Sequence, residues 1–108
     1  MQALEYLDAA GRSPFRRWFD GLDPQAAAKV AIVTARLLLG HVSNVKGVGG
    51  GVFELRIDFG PGYRVYFGRD GDALVLLLGG GTKQRQQNDI AAAQARWADY
   101  KRRKKEQT

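Results

Sequence analysis

Residues 51–67 constrain the fold more than any other stretch, because two runs of alternating apolar and polar residues flank a Gly-Pro-Gly turn. Successive side chains of a β-strand point to opposite faces, so each run can bury one face and expose the other. The apolar faces carry Phe53, Leu55, Ile57 and Phe59, then Tyr63, Val65 and Phe67. The polar faces carry Glu54, Arg56 and Asp58, then Arg64 and Tyr66. We therefore predict an antiparallel hairpin whose charged face is the working surface.

The turn also predicts the register of this hairpin. A three-residue loop at 60–62 places Asp58 opposite Arg64, and Arg56 opposite Tyr66. The apolar pairs would then be Phe59 with Tyr63, Ile57 with Val65, and Leu55 with Phe67. A two-residue loop would mix the faces, and a one-residue slip moves every side chain to the other face. The pattern therefore favours the three-residue loop.

The rest of the chain predicts a small α+β domain around the hairpin. Ser13-Pro14 and Asp23-Pro24 each combine a capping residue with a proline suited to the first helical position. The predicted elements are a strand Gln2–Leu7, helices Pro14–Asp20 and Ala26–Leu39, the hairpin, a buried strand 73–78, and a helix from about Gln86 to Arg103. An N-terminal strand and a two-helix hairpin would pack on a small antiparallel sheet, followed by a C-terminal helix, in one domain spanning residues 1–108.

A glycine-rich segment, His41–Gly51, precedes the hairpin. It lacks the Gly-Lys-Ser/Thr ending of a phosphate-binding loop, so it indicates a mobile connection in which Lys46 is the one useful charge. His41 has no obvious partner in the sequence, which favours an exposed residue near a helix end over a catalyst.

A second turn follows the hairpin at Asp70-Gly71, a strong signal for a two-residue connection. This turn would place Val75, Leu77, Gly79 and Gly81 on the face of Arg64 and Tyr66. Lys83 would join that face if the strand extends so far. Glycines there would leave room for the backbone of a ligand to approach.

Charge and composition limit the classes of function. The net charge of +6 favours a polyanionic partner, either nucleic acid or an acidic protein. A chain with no cysteine and one histidine cannot build a thiolate or multi-histidine metal site, and we expect neither a metal nor a cofactor. No apolar run approaches the roughly 20 residues of a membrane span. We expect a cytoplasmic protein that does not contact a membrane.

The C-terminal residues 101–108 begin with a dense basic run, Lys101-Arg102-Arg103-Lys104-Lys105. Such a run fits a solvated helix end, where cations also complement the helix dipole. It fits equally an electrostatic anchor on a phosphate backbone. The sequence leaves both interpretations open.

The predicted charged face could perform phosphate chemistry without a metal. Its members are Arg56, Arg64, Lys83, Tyr66, Glu54 and Asp58. Arginine and lysine bind phosphate, and tyrosine offers a hydroxyl and a stacking surface. One group could take the proton from a ribose 2′-hydroxyl that attacks the adjacent phosphorus, while an acid protonates the leaving 5′-oxygen. The alternative is that these charges form surface ion pairs that only solvate a sheet face.

Three motifs are characteristic: Gly51-Val52-Phe53-Glu54-Leu55-Arg56, Gly60-Pro61-Gly62-Tyr63-Arg64-Val65-Tyr66-Phe67, and Leu76-Leu77-Leu78-Gly79-Gly80-Gly81-Thr82-Lys83 with Gln86, Asp89, Ile90 and Ala93. They resemble the RelE/ParE toxin superfamily, and within it the HigB-like "addiction module killer protein" branch of type II toxin–antitoxin systems. The resemblance implies a RelE-like α+β fold and a ribosome-dependent mRNA endonuclease. It also implies a cognate antitoxin, expected to be a helix-turn-helix protein that alone contacts operator DNA.

The resemblance also implies roles for individual residues. Arg56, Arg64 and Lys83 become the candidates for phosphate and transition-state contacts, and Glu54 and Tyr66 for proton transfer or base stacking. Where the branch commonly has Gly-Gly-Asp-Lys-Ser-Ser-Gln, this chain has Gly80-Gly81-Thr82-Lys83-Gln84-Arg85-Gln86, which loses an acid and gains a cation. If that acid only caps a helix, Thr82 replaces it with little loss. The cations that we expect to bind RNA are Lys46, Arg85, Lys101, Arg102 and Arg103.

Two other functions remain open at this stage. The superfamily also includes ParE-like toxins, which bind DNA gyrase and catalyse nothing themselves. An inactive relative would keep only antitoxin binding and autoregulation. The three cations Arg56, Arg64 and Lys83 favour RNA cleavage, although members of the superfamily overlap at these positions.

Overall fold

A computed structural model describes residues 1–41 and 43–107, which form an α+β fold of three layers. The elements in chain order are β1 (Gln2–Glu5), α1 (Pro14–Asp20), α2 (Pro24–Leu38), β2 (Val45–Gly49), β3 (Val52–Ile57), β4 (Tyr63–Asp70), β5 (Leu74–Thr82), a 3-10 turn (Lys83–Arg85) and α3 (Gln86–Glu106). The predicted fold class, and the order of the predicted elements, are confirmed.

The strands form one mixed sheet in the order β1-β5-β4-β3-β2. Strands β3 to β5 pair antiparallel, as predicted, and β2 adds an unpredicted antiparallel strand beside β3, whereas β1 joins the edge of β5 in the parallel direction. Helices α1 and α2 cover one face of this sheet, and α3 covers the other. The hairpin β3–β4 therefore lies between two helical layers.

Both predicted helix starts are confirmed by their caps. The Ser13 hydroxyl accepts a hydrogen bond from the Arg16 N–H at 2.9 Å, and Asp23 accepts one from the Ala26 N–H at 3.0 Å. These side chains satisfy N–H groups that have no partner within the helix. Helix α1 has its predicted bounds, and α2 begins at Pro24, the first helical position that Asp23-Pro24 indicates, and ends at Leu38, one residue before the predicted Leu39.

The segment that we predicted as a mobile connection contains a strand. Residues Val45–Gly49 form β2, which pairs with β3 and places Lys46 directly opposite Glu54. Val42 of this predicted connection lies outside the described residues. A glycine-rich strand is held by backbone hydrogen bonds and has little side-chain periodicity, so the pattern did not reveal it.

The predicted register of the β3–β4 hairpin is wrong by two residues. Ile57 pairs with Tyr63 and Arg56 with Arg64, so the connection is a five-residue loop, 58–62. Two tight turns inside the loop cause this, with the Phe59 N–H bonded to the Ile57 carbonyl and the Gly62 N–H bonded to the Phe59 carbonyl, both at 3.0 Å. A shift of two residues keeps every side chain on its predicted face. The predicted facing pairs, Asp58 with Arg64 and Arg56 with Tyr66, do not form.

Because of a β-bulge, part of β5 presents its side chains to the opposite face from the one predicted. Tyr66 pairs with Gly79 whereas Phe67 pairs with Leu77, so Leu78 is an extra residue on β5. Gly79 and Gly81 lie on the face of Arg64 and Tyr66, as predicted. Val75 and Leu77, on the far side of the bulge, belong instead to the core under α1 and α2. A bulge reverses the alternation of side chains along a strand, and sequence periodicity does not mark its position.

Trp97 of α3 lies directly on the sheet, over two glycines. A Cβ atom at Gly68 would lie 2.3 Å from Trp97 Cε3, and one at Gly51 would lie 2.6 Å from Trp97 Nε1. Ordinary Cβ contacts are never that short. Glycine at these positions therefore sets the distance between α3 and the sheet.

We expect Gly68→Ala to lower the free energy of unfolding by about 1–3 kcal/mol, because the new methyl group displaces the Trp97 ring. Gly47→Ala on β2 is the matched control, since a Cβ there meets no atom within 4 Å. Urea denaturation of both variants measures the difference. Equal stability of the two variants would contradict the packing described.

Candidate active site

A buried carboxylate is the centre of the candidate site. Glu54 on β3 is only 1% exposed. Its Oε1 lies 3.6 Å from Arg64 Nε and 3.8 Å from Lys46 Nζ, and its Oε2 accepts a hydrogen bond from Gln86 Nε2 at 2.8 Å. Tyr66 lies directly opposite Glu54 on β4. We call Glu54, Lys46, Arg64 and Tyr66 the Glu54 cluster.

Two polar groups of this cluster are buried without hydrogen-bond partners among the described residues. They are Arg64 Nε and the Tyr66 hydroxyl, in side chains that are 8% and 0% exposed. Burial raises the pKa of the Tyr66 hydroxyl well above its usual 10.0, and the nearby charge of Glu54 raises it further. Tyr66 and Glu54 nevertheless form no hydrogen bond of good geometry. Tyr66 is therefore protonated at neutral pH and can donate a hydrogen bond. Unpaired buried donors cost stability and often mark a site that binds another molecule.

The two arginines of the hairpin have partners other than those expected. Arg56 forms an ion pair with Asp58 (Nε to Oδ1, 3.4 Å), and Arg64 pairs with Glu54. Arg56 and Arg64 face each other across the two strands, although like charges in this position are destabilising. The Arg56 side chain is half exposed, and it presents a cation at the border of the cluster.

The first turns of α3 cover the polar face that we predicted to be open. Gln86 bonds Glu54, and the Asp89 carboxylate sits over Gly81, where a Cβ atom would be 2.0 Å from its Oδ2. The room predicted beside the glycines is thus filled. Sequence analysis noted Gln86 and Asp89 but gave them no role. Their three-residue spacing places both on one helix face, which is the signal that could have found them.

Arg96 of α3 fills the adjacent space over Gly79. Its Nη1 donates a hydrogen bond to the Leu78 carbonyl at 3.0 Å, at the bulge of β5. Burial raises the pKa of the Asp89 carboxyl, although the charges of Arg85 and Arg96 act in the opposite direction. The negative charge of Asp89 also helps to raise the pKa of Tyr66. Asp89 therefore belongs to the electrostatic surroundings of the Glu54 cluster.

Lys83 and Arg85 lie outside the sheet. Strand β5 ends at Thr82, and both cations follow in the exposed 3-10 turn that leads into α3. Thr82 precedes this turn but its side chain makes no capping hydrogen bond. The two cations therefore stand next to the helical turn that covers Glu54, and not on the sheet face itself.

A family model described as "Phage derived protein Gp49-like (DUF891)" matches residues 17–98. This range includes the whole Glu54 cluster and the residues of α3 that cover it. The chain belongs to the Gp49-like family. This family is RelE-like and is associated with the toxins of toxin–antitoxin systems, whose partners are antitoxins.

A relative of this Gp49-like protein occurs in Haemophilus influenzae. The two are 44% identical over 80 residues, which is 73% of this chain and 81% of the relative. The relative is named only as an uncharacterized protein. Its name gives neither a family nor a mechanism.

Acidic side chains hold the basic end of the Gp49-like chain. Arg102 and Arg103 both bond Asp99, and Lys104 bonds Asp70. Lys101 lies over the Trp97 ring, with its Nζ 5.6 Å from the ring centroid. At 1.5 Å per helical residue, Lys101 is roughly 22 Å along α3 from Gln86, so this end of α3 is remote from the Glu54 cluster.

The described residues contain no group of three His, Cys, Asp or Glu side chains placed to hold a metal ion. No helix in the same ranges is long and apolar enough to cross a membrane.

Tyr66→Phe should raise the free energy of unfolding by about 1 kcal/mol, because it removes a buried hydroxyl that has no hydrogen-bond partner in the part of the chain that the structure describes. Tyr100→Phe is the matched control. The Tyr100 hydroxyl donates a 2.7 Å bond to Asp70, so its loss should lower stability by about 1–2 kcal/mol. Chemical denaturation measures both changes, and a destabilised Tyr66→Phe would contradict the described environment of the hydroxyl.

Asp89→Asn should raise stability at about pH 7, with the gain disappearing below the ordinary Asp pKa of 3.8. The folded state raises the pKa of Asp89, so the ionised carboxylate costs stability above 3.8 and the protonated acid does not. Asp99→Asn is the control of opposite sign. Three hydrogen bonds, led by that from Arg103, lower the pKa of Asp99, so this variant should lose stability at pH 7, and the deficit should shrink as the pH falls from 3.8 through the lowered pKa of the folded state. Unfolding measured as a function of pH tests both.

Proposed function

We propose that this protein is the toxin of a type II toxin–antitoxin module and that it cleaves mRNA on the ribosome. The observation that carries the proposal is the Glu54 cluster, in which a buried carboxylate lies beside Arg64 Nε and the Tyr66 hydroxyl, two donors that form no hydrogen bond among the described residues. Preorganised donors aimed at a developing negative charge stabilise a transition state more than they stabilise the ground state. The family supports the toxin assignment, and the HigB-like branch remains the resemblance with the most specific motifs.

The proposed reaction is attack of a ribose 2′-oxygen on the adjacent phosphorus. The 2′-hydroxyl gives its proton to Glu54, the 2′-oxygen forms a bond to phosphorus, and the bond to the 5′-oxygen breaks. Arg64 and the Tyr66 hydroxyl donate hydrogen bonds to the charged phosphoryl oxygens, water protonates the leaving 5′-oxygen, and Glu54 releases its proton to solvent. The products are a 2′,3′-cyclic phosphate and a 5′-hydroxyl. Arg56 and Lys46, both exposed, would hold flanking phosphates.

Substrate access would require a shift of the first turn of α3. Gln86 and Asp89 cover the cluster, and the 3-10 turn before them lacks a side-chain cap. Lys83 and Arg85 on this turn would contact RNA as it opens. Lys101, Arg102 and Arg103, which are remote from the cluster, would contact rRNA or mRNA only at the far end of the molecule.

A second candidate is a ParE-like gyrase inhibitor without catalysis. The burial of Glu54, Arg64 and Tyr66 favours it, because a toxin that only binds needs no access to these groups. In either case we expect the partner to be an antitoxin, a helix-turn-helix protein through which alone the toxin would reach operator DNA, in the cytoplasm. Co-purification with the product of the neighbouring gene tests that partner.

Inducing the protein in cells and mapping mRNA 5′ ends tests the cleavage. We expect cuts at a fixed position in the reading frame, reduced about 100-fold by Tyr66→Phe, which removes a transition-state donor without unfolding the protein. Arg56→Gln should also reduce them, because it removes an exposed phosphate contact. The matched control is Arg69→Gln, which removes an exposed cation from the opposite end of β4 and should cut like the native protein.

The outcomes separate the candidates. Intact mRNA with double-strand DNA breaks would replace the nuclease by a gyrase poison. Intact mRNA without breaks would indicate an inactive relative that keeps only antitoxin binding. Cuts without a reading-frame preference would remove the ribosome from the proposal but keep the nuclease.

A further inference from the structure

A groove lies between α2 and the end of β3, on the face of the sheet opposite the Glu54 cluster. Its volume is about 400 Å³. Its cations are Lys29 and Arg36 from α2 and Arg56 from β3, and its apolar floor is formed by Val33, Leu55 and Ile57. We call it the α2–β3 groove.

The groove exists because β2 stops short of the end of β3. The last β2 pair on this side is Val45 with Leu55, and Asn44 then turns the chain away with a φ of 64°. Beyond that point the described residues provide β3 with one backbone bond on this edge, from the Arg56 N–H to the Asn44 carbonyl at 2.9 Å. The edge of β3 and the side of α2 therefore enclose an open channel.

The cations of the groove are less neutralised than those at the C-terminus. Within the described residues, neither Lys29 nor Arg36 forms an ion pair or a side-chain hydrogen bond, whereas Arg102, Arg103 and Lys104 are all bound to carboxylates. The lining contains one acid, Asp58, which is itself paired with Arg56. A negative ligand in the groove would thus meet uncompensated positive charge.

We propose that the α2–β3 groove binds the sugar-phosphate backbone of a single-stranded nucleic acid. Lys29 and Arg36 are seven residues apart, so they lie roughly 10 Å apart along one side of α2 and act on successive phosphates. A concave site of this volume takes a segment about the size of a small molecule, whereas a duplex, whose major groove alone is about 12 Å wide, is too broad. The apolar floor suits the ribose carbons between the phosphates.

Arg56 connects the groove to the cluster, because it lines the groove and faces Arg64, which pairs with Glu54, across the hairpin. Facing residues in an antiparallel pair have Cα atoms about 5 Å apart. A strand leaving the groove past Arg56 would round the edge of β3 to reach the Glu54 cluster on the α3 face of the sheet. This inference rests on the proposed function for the identity of the nucleic acid, and the groove would set the position of the strand without reading its sequence.

Fluorescence anisotropy with a labelled 2′-O-methyl RNA of about 12 nucleotides, titrated at several salt concentrations, tests the groove. The 2′-O-methyl group prevents attack by the 2′-oxygen, so binding is measured without cleavage. Lys29→Gln/Arg36→Gln should lower the slope of log K against log salt by about 1.4, since each phosphate contact on a single strand contributes about 0.7. A DNA strand of the same sequence should show the same loss, because the contacts are to phosphate.

Arg12→Gln/Arg17→Gln is the matched control. It removes the same charge from another groove, between α1 and α3, and should keep the native slope. Thermal melting checks that both double variants are folded, which we expect because neither Lys29 nor Arg36 contributes an ion pair in the described structure.

An unchanged slope in Lys29→Gln/Arg36→Gln, or an equal loss in the control, would overturn the groove. So would a poly-glutamate peptide that binds with this sensitivity while the oligonucleotides do not, since the surface would then serve an acidic protein. A slope loss in a protein that cuts no mRNA would keep the groove and remove the nuclease. Cleavage of mRNA together with an unchanged slope would keep the nuclease and remove the groove.

Discussion

The buried carboxylate of Glu54 is the constraint on which the rest of the structure depends. An ion taken out of water costs several kcal/mol unless cations and hydrogen-bond donors compensate it. The compensation here comes from three different elements, with Lys46 on β2, Arg64 on β4 and Gln86 on α3. One buried charge therefore requires the register of β2 with β3, the register of β3 with β4, and the docking of α3 on the sheet. Removing one partner of such a buried pair typically costs about 3–5 kcal/mol, so these elements stabilise one another.

Features that cost stability concentrate at the same place. Arg56 faces Arg64, the Tyr66 hydroxyl lacks a partner among the described residues, and the fold raises the pKa of Asp89. Structural regions of a protein normally avoid such conflicts, whereas functional sites retain them. The conflicts, more than the positive net charge, distinguish this face of the sheet from a solvated surface. The C-terminal cations differ from this site, because carboxylates on α3 and β4 neutralise them.

Local signals predicted most of the fold. The caps at Ser13 and Asp23, and the faces of β3 and β4, depend on residues adjacent in sequence. The register, the bulge and β2 were not predictable, because backbone hydrogen bonds inside a loop or a glycine-rich segment leave no side-chain pattern. The sequence predicted which residues form the candidate site, but it did not predict that they are buried. Gln86 and Asp89 are polar residues within the inward face of α3, and a search for apolar stripes does not include them.

The parallel pairing of β1 with β5 determines when the sheet can be completed during synthesis of the chain. Gln2 pairs with Leu74 and Glu5 with Leu77, so each pair joins residues 72 positions apart. Closing so long a loop costs entropy and delays folding, whereas the β3–β4 hairpin closes locally. The first strand cannot pair until Leu77 has been synthesised. The nascent chain therefore carries an incomplete sheet edge while all the residues between Glu5 and Leu74 are being made, and the sheet is completed only after the β3–β4 hairpin has been synthesised.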